Sequence, residues 1–194
     1  MKNPFTVRNM PFIAILLAIE IVLQFIGNMV AFGPVSINLS LVPIALGAML
    51  FGPWVGLFLG IINSIFVLMA PSTALFYNVS AGGTIIVCLL KSSLAGFLGG
   101  LFYLLLKNKN GFVASIVASI TLPVINTGIF ILGCLLFFRP LLEEYSTGYT
   151  SIYEFLFIGL IGWNFIFELA TSIVLVYPIY RIITIKERHK QLAN

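Results

Sequence analysis

GGTIIVCLLKSSLAGFLGGLFYLLL, residues 82–106, is long and apolar enough to cross a bilayer, yet it holds a lysine, Lys91, inside the run. A spanning helix needs about 20 apolar residues. Lys91 stands too far from either end of the run to be an interfacial anchor. An ionisable side chain at such a depth is costly in lipid and marks a functional or paired site. Such a residue calls for a partner elsewhere in the chain or for a ligand.

The composition sets the solvent. Of 194 residues, 60% are hydrophobic and 8% charged, and the mean hydropathy is +1.13. That leaves too little polar surface to coat a soluble globule, so the chain reads as an all-α integral membrane protein. With spans of roughly 20 to 25 residues, one domain over residues 1–194 has room for a bundle of six transmembrane helices. The approximate spans are 10–32, 36–51, 54–70, 83–106, 112–138 and 153–183. No nucleotide-binding glycine loop or metal-ligand cluster is found, and no cofactor is expected. The only histidine is His189, in the polar tail. Cys88 and Cys134 fall inside apolar runs, where cysteine acts as a small packing residue. The net charge of +4 reads as a record of which loops face the cytoplasm, not as nucleic-acid binding.

Residues 1–9 are short and basic and lead into the first span with no small-residue cleavage site, so this helix is expected to be retained. It carries Glu20, Gln24 and Asn28 at i, i+4 and i+8, one stripe that should face protein. It also carries the small pair Ala14 and Ala18, which allows close helix approach. Gly33 and Pro34 break the helix, and Gly52-Pro53 makes a tight turn into the third span, which holds Gly56, Gly60, Asn63 and Ser64. The connection PSTALFYNVSAGG, residues 71–83, joins Phe76 and Tyr77 to Asn78 and Ser80. It reads either as a lid over a small ligand or as an interfacial aromatic belt. Pro123, Asn126 and Thr127 loosen the middle of the fifth span, and Asn164 and Glu168 sit at i, i+4 on the sixth.

Threading six spans with the amino terminus inside places Lys2, Arg8, Lys107, Lys109, Arg181, Lys186, Arg188 and Lys190 on the cytoplasmic side and leaves only Arg139 outside. This predicts a multi-pass cell-membrane protein with both termini cytoplasmic. At roughly 1.5 Å per residue, Lys91, Glu20, Asn126, Asn164 and Glu168 lie about 12 to 20 Å below the outer ends of their spans. They share one level, which predicts a polar chamber open to the outside. Lys91 is then either half of a structural ion pair with Glu168 or Glu20, or the receiver of an anionic solute group. Asn126, Asn164 and Thr84 supply neutral hydrogen bonds in the second case. Asn126 and Asn164 are equally suited to act as interhelical glue.

Together, the Ala14-x-x-x-Ala18 pair, the FGPWVG turn at residues 51–56 and the TIIVCLLKSSLAGFLGG run at residues 84–100 resemble the substrate-binding S component of an energy-coupling factor (ECF) vitamin transporter. The similarity is greatest to the pantothenate type. The resemblance implies a high-affinity capture subunit of an ABC importer, with no enzymatic activity of its own. Its partners would be a vitamin, a transmembrane coupling subunit, two ATPase subunits and the lipid bilayer. Ala14 and Ala18 would meet the coupling subunit, and the segments at 33–38 and 71–83 would close over substrate, bringing Asn38 and Asn78 to it. Pantothenate, a small carboxylate with hydroxyl and amide groups, suits one buried cation among amides. Other S-component substrates (hydroxymethylpyrimidine, pyridoxine, folate, riboflavin) and a stand-alone proton-coupled carrier are the alternatives. A membrane enzyme using Glu20 and Glu168 as acid and base lacks any nucleophile, metal set or headgroup motif to go with them.

Overall fold

The computed structural model describes residues 5–29, 31–32 and 35–192; Lys2 and the Gly33-Pro34 break lie outside them. Among the described residues the regular elements are helices but for one small hairpin. Helix α1 is Met10–Met29, followed by strands β1 (Ala31–Phe32) and β2 (Val35–Ser36), antiparallel with Phe32 opposite Val35. Then come α2 (Leu41–Phe51), α3 (Pro53–Leu68), a 3-10 turn at Pro71–Thr73, α4 (Ala74–Val79), α5 (Ala81–Leu106) and α6 (Gly111–Phe137). The last third holds α7 (Arg139–Tyr145), α8 (Ile152–Glu154), a π-helical stretch at Phe155–Leu160 and α9 (Gly162–Leu192).

Four segments among the described residues are long and apolar enough to cross a membrane: Met10–Met29, Ala81–Leu106, Gly111–Phe137 and Ile152–Val176. A fifth is reached by joining α3 to Pro71–Val79, although the two are bent by 74°. Helix α2 is the exception. Its 11 residues cover about 16 Å, half the hydrocarbon thickness, where the sequence suggests a span over 36–51. The residues just before it, 37–40, are non-helical backbone. Such backbone is tolerated at membrane depth only when enclosed by protein, and residues 37, 38 and 40 and all of 41–49 are buried. The polar groups that make this break tolerable form the site described below.

The boundaries have local causes. Gly52 has φ +103, a backbone conformation that side chains resist, and Pro53 supplies the first turn of α3, so α2 and α3 are joined without a loop. Ser80 caps α5 by accepting from the Gly83 N–H, and Asn110 caps α6 by accepting from Phe112 and Val113. The polar run 139–151, between α6 and the last long apolar segment, contains the short helix α7, started by Pro140 in its first turn.

Helices α3 and α5 cross at their glycines. A Cβ added at Gly56 would stand 2.3 Å from the Gly96 carbonyl oxygen, and one at Gly60 2.3 Å from that of Ser92. Small residues thus bring the backbones into contact, which is how helices associate where lipid gives no hydrophobic drive. Ile44, Val55, Leu59 and Leu122 fill the core beside this crossing. A second apolar cluster, with Phe76, Phe138, Leu142 and Leu156, closes the hairpin end of the bundle. Intramembrane hydroxyls bond back to their own helices: Ser115 to Gly111, Ser119 to Ser115 and Thr121 to Val117.

Candidate functional site

Lys91 lies on α5, half-buried, about 15 Å from the start of the helix. Its ammonium stands 5.3 Å from the centroid of the Phe130 ring on α6, a cation–π contact. Among the described residues no carboxylate lies within 4.0 Å of it, so neither Glu168 nor Glu20 forms a direct ion pair with this lysine. Glu168 is close enough to feel its charge. Lys91 looks into a cavity of about 40 Å³ lined by Gln24, Ser36, Ser72, Thr84, Cys88 and the rings of Phe76, Phe130 and Phe138. Those three rings pack edge to face, Phe76 being 5.6 Å from Phe130 and 5.0 Å from Phe138. One cation, several neutral hydroxyl and amide groups and an aromatic wall suit a small anion with polar substituents.

Beside this cavity is a second polar group, built where α2 unwinds. The freed Asn38 N–H donates to Glu168 Oε1 at 3.0 Å, and the Asn126 side chain stands close to the same carboxylate. Asn126 Oδ1 has no partner. Asn164, one turn before Glu168, donates to the Leu160 carbonyl at 3.3 Å, at the end of the π-helical stretch. Ser40, also in the unwound segment, faces three amides: Gln24 at 3.1 Å, Asn63 at 2.6 Å and its neighbour Asn38. A hydroxyl carries one proton, so only one of these is a donation from Ser40. Asn38, whose Nδ2 has no other partner, is suited to turn that amine towards the serine. Asn63 continues the chain to Ser92 at 3.1 Å.

Glu168 therefore holds a backbone amide as well as lining a polar interior. Replacing it with alanine strands the buried Asn38 N–H and is expected to destabilise the protein by about 1–3 kcal/mol. Glutamine keeps an acceptor and should recover most of that loss. Thermal unfolding of the detergent-purified variants checks both.

The structure gathers Lys91 and Thr84 at the cavity and Asn38, Asn126 and Glu168 around the break in α2, with Asn164 one turn before Glu168 on α9; all six residues except Lys91 are buried. Asn78 does not join them; it is exposed on α4. Ala14 and Ala18 are exposed on α1, on the side away from the buried Ile13, Leu16, Glu20 and Gln24. Glu20 is fully buried, and neither carboxyl oxygen has a hydrogen-bond partner among the described residues. Among the described residues, no three His, Cys, Asp or Glu side chains are grouped to hold a metal.

Sequence reasoning missed Ser36 and Ser72 at the cavity and Ser40 at the break. Gln24 was signalled by its place on the polar stripe of α1. The serines carried no signal, because each matters only through residues far away in the chain.

A family model described as ECF transporter, substrate-specific component, matches residues 8–180. No curated protein and no solved structure matches the chain.

Proposed function

Because the chain belongs to the family of ECF transporter substrate-specific components, a family of substrate-binding transport subunits and not enzymes, we propose that it captures a small anionic vitamin, pantothenate being the best candidate. The observation that carries this reading is Lys91: an ammonium in a cavity with hydroxyls, an amide and aromatic rings, and no carboxylate in contact among the described residues. A carboxylate ligand would give it a direct charge partner. Asn126, with an unpartnered buried oxygen, and Thr84 are then the neutral contacts.

In this proposal six segments cross the membrane, α2 with its unwound lead serving as the second crossing. Arg139 lies at the hairpin end, whereas Arg8, Lys107, Lys109 and Arg181 lie at or beyond the opposite end. The positive-inside rule then turns the hairpin end outward and puts both termini in the cytoplasm. Family membership implies association with an energy-coupling module. Ala14 and Ala18 would dock its transmembrane subunit, and two ATPases would drive uptake.

The test is thermal stability of the purified protein against a panel of vitamins. A tight ligand stabilises the folded state by RT ln(1 + [L]/Kd), about 2.7 kcal/mol at a hundredfold excess over Kd. A shift with pantothenate and none with the others is the expected result. A shift with a different vitamin overturns the substrate and keeps the capture function.

A second reading, a proton-coupled carrier that works alone, is favoured by Glu20, a buried carboxyl without a partner. Uptake by the isolated chain in proteoliposomes under a proton gradient would establish it. Dependence on the ATPases would exclude it.

A further inference from the structure

Gln24 lines two hollows at once. On one side is the Lys91 cavity. On the other is a space of about 370 Å³ between the ends of α1 and α3, walled by Phe25, Met29, Phe66, Met69 and Pro71 together with Asn28. The wall between them is a line of hydrogen bonds. Gln24 Nε2 donates to Asn28 Oδ1 at 3.0 Å, Ser36 Oγ donates to the same oxygen at 3.3 Å, and the Ser36 and Ser72 hydroxyls meet at 3.3 Å. Ser36 and Ser72 line the Lys91 cavity, and Asn28 lines the larger hollow. These few neutral bonds tie together three separate pieces of backbone: α1, strand β2 and the 3-10 turn.

The sizes make the arrangement informative. A cavity of about 40 Å³ holds a few waters, whereas small-molecule pockets run to roughly 300–1,000 Å³. The neighbouring hollow falls in that range, but among the described residues no cation lines it. Its methionines and phenylalanines are adaptable apolar surface, and Met29 and Met69 stand open on its far side, 85% and 76% exposed.

We propose that the two hollows are halves of one ligand site, divided by the Gln24–Asn28–Ser36–Ser72 latch, and that the site takes a small amphipathic anion entering sideways between α1 and α3. The acidic end reaches Lys91, the apolar body lies among Phe25, Phe66 and Met69, and the latch groups, once parted, bond the ligand's neutral polar atoms. This inference rests on reading Lys91 as the partner of the anion.

Cys88 lines the Lys91 cavity and reports on access to it without a known ligand. The full-length protein in detergent is labelled with anionic sulfonatoethyl methanethiosulfonate or with neutral methyl methanethiosulfonate, and modification of Cys88 is followed by peptide mass. Asn28→Ala removes two latch bonds and is expected to speed sulfonate labelling about tenfold. Ser72→Ala, which removes one bond and is milder on the fold, should speed it several-fold. Met69→Trp, added to either variant, fills the larger hollow and should return the rate towards that of the unaltered protein. Rates unmoved by both latch variants, or a latch effect that Met69→Trp does not reverse, overturn the sideways route. The anion reading fails separately: Lys91→Gln must lower the sulfonate rate relative to the neutral reagent, and an unchanged ratio overturns that reading while leaving the latch result intact.

Discussion

Lys91→Gln is expected to weaken binding of pantothenate by about 10- to 100-fold, the loss of a hydrogen-bonded charge contact worth about 1.5–3 kcal/mol. The substitution leaves no carboxylate stranded in direct contact, since among the described residues none lies within 4.0 Å of the ammonium. It also keeps a side chain of similar reach against Phe130. The fold should therefore persist, and the effect should fall on the ligand's charge. Isothermal titration with pantothenate and with its neutral alcohol analogue separates the contributions. The acid should lose affinity and the alcohol should bind both proteins alike. If the two ligands lose affinity equally, Lys91 acts on the shape of the cavity and not on the anion. Unfolding of the variant would show that the electrostatic link to Glu168 is structural.

Ala14→Trp or Ala18→Trp is expected to cut uptake at least about tenfold while changing ligand affinity less than about twofold. Both alanines are exposed on α1 and line neither hollow. An indole there meets no neighbour within the subunit and adds apolar surface that a bilayer accepts. It does prevent another helix from approaching the backbone closely. Uptake in cells carrying the coupling module, set beside binding to the purified variant, gives the two readouts. Loss of both together would place these alanines in the support of the site. Retention of both would move the docking surface elsewhere on the bundle.

Much of the candidate site could be read along the chain, for one physical reason. In a segment that must lie in hydrocarbon, each polar side chain is an exception that needs protein around it. Lys91, Asn126, Asn164 and Glu168 stand out as such exceptions, and all four lie at or beside the polar interior. Asn78 is in a connecting stretch, where polar residues are ordinary, and it falls outside the cavity. Ser36, Ser40 and Ser72 are equally ordinary in sequence. Their importance comes from contacts with Asn28, Gln24, Asn63 and one another, which depend on how the helices are assembled. The role of Glu168 divides the same way. Its burial follows from its surroundings in the sixth apolar run, but its bond to the Asn38 N–H, 130 residues away in sequence, does not.

The sequence by itself determined that the chain is helical, that its long apolar runs are built for lipid, and that Lys91 is out of place there. Hydropathy and length decide those matters, because the bilayer is a uniform solvent that penalises any unpaired backbone group. Only the tertiary structure decided that the second apolar run is a short helix with an unwound lead, that Lys91 faces an aromatic ring instead of a carboxylate, and that a hydrogen-bonded wall divides the space around it. Those outcomes depend on which side chains other helices bring to the same depth, and helical periodicity places a residue on a face of its own helix without naming what stands opposite.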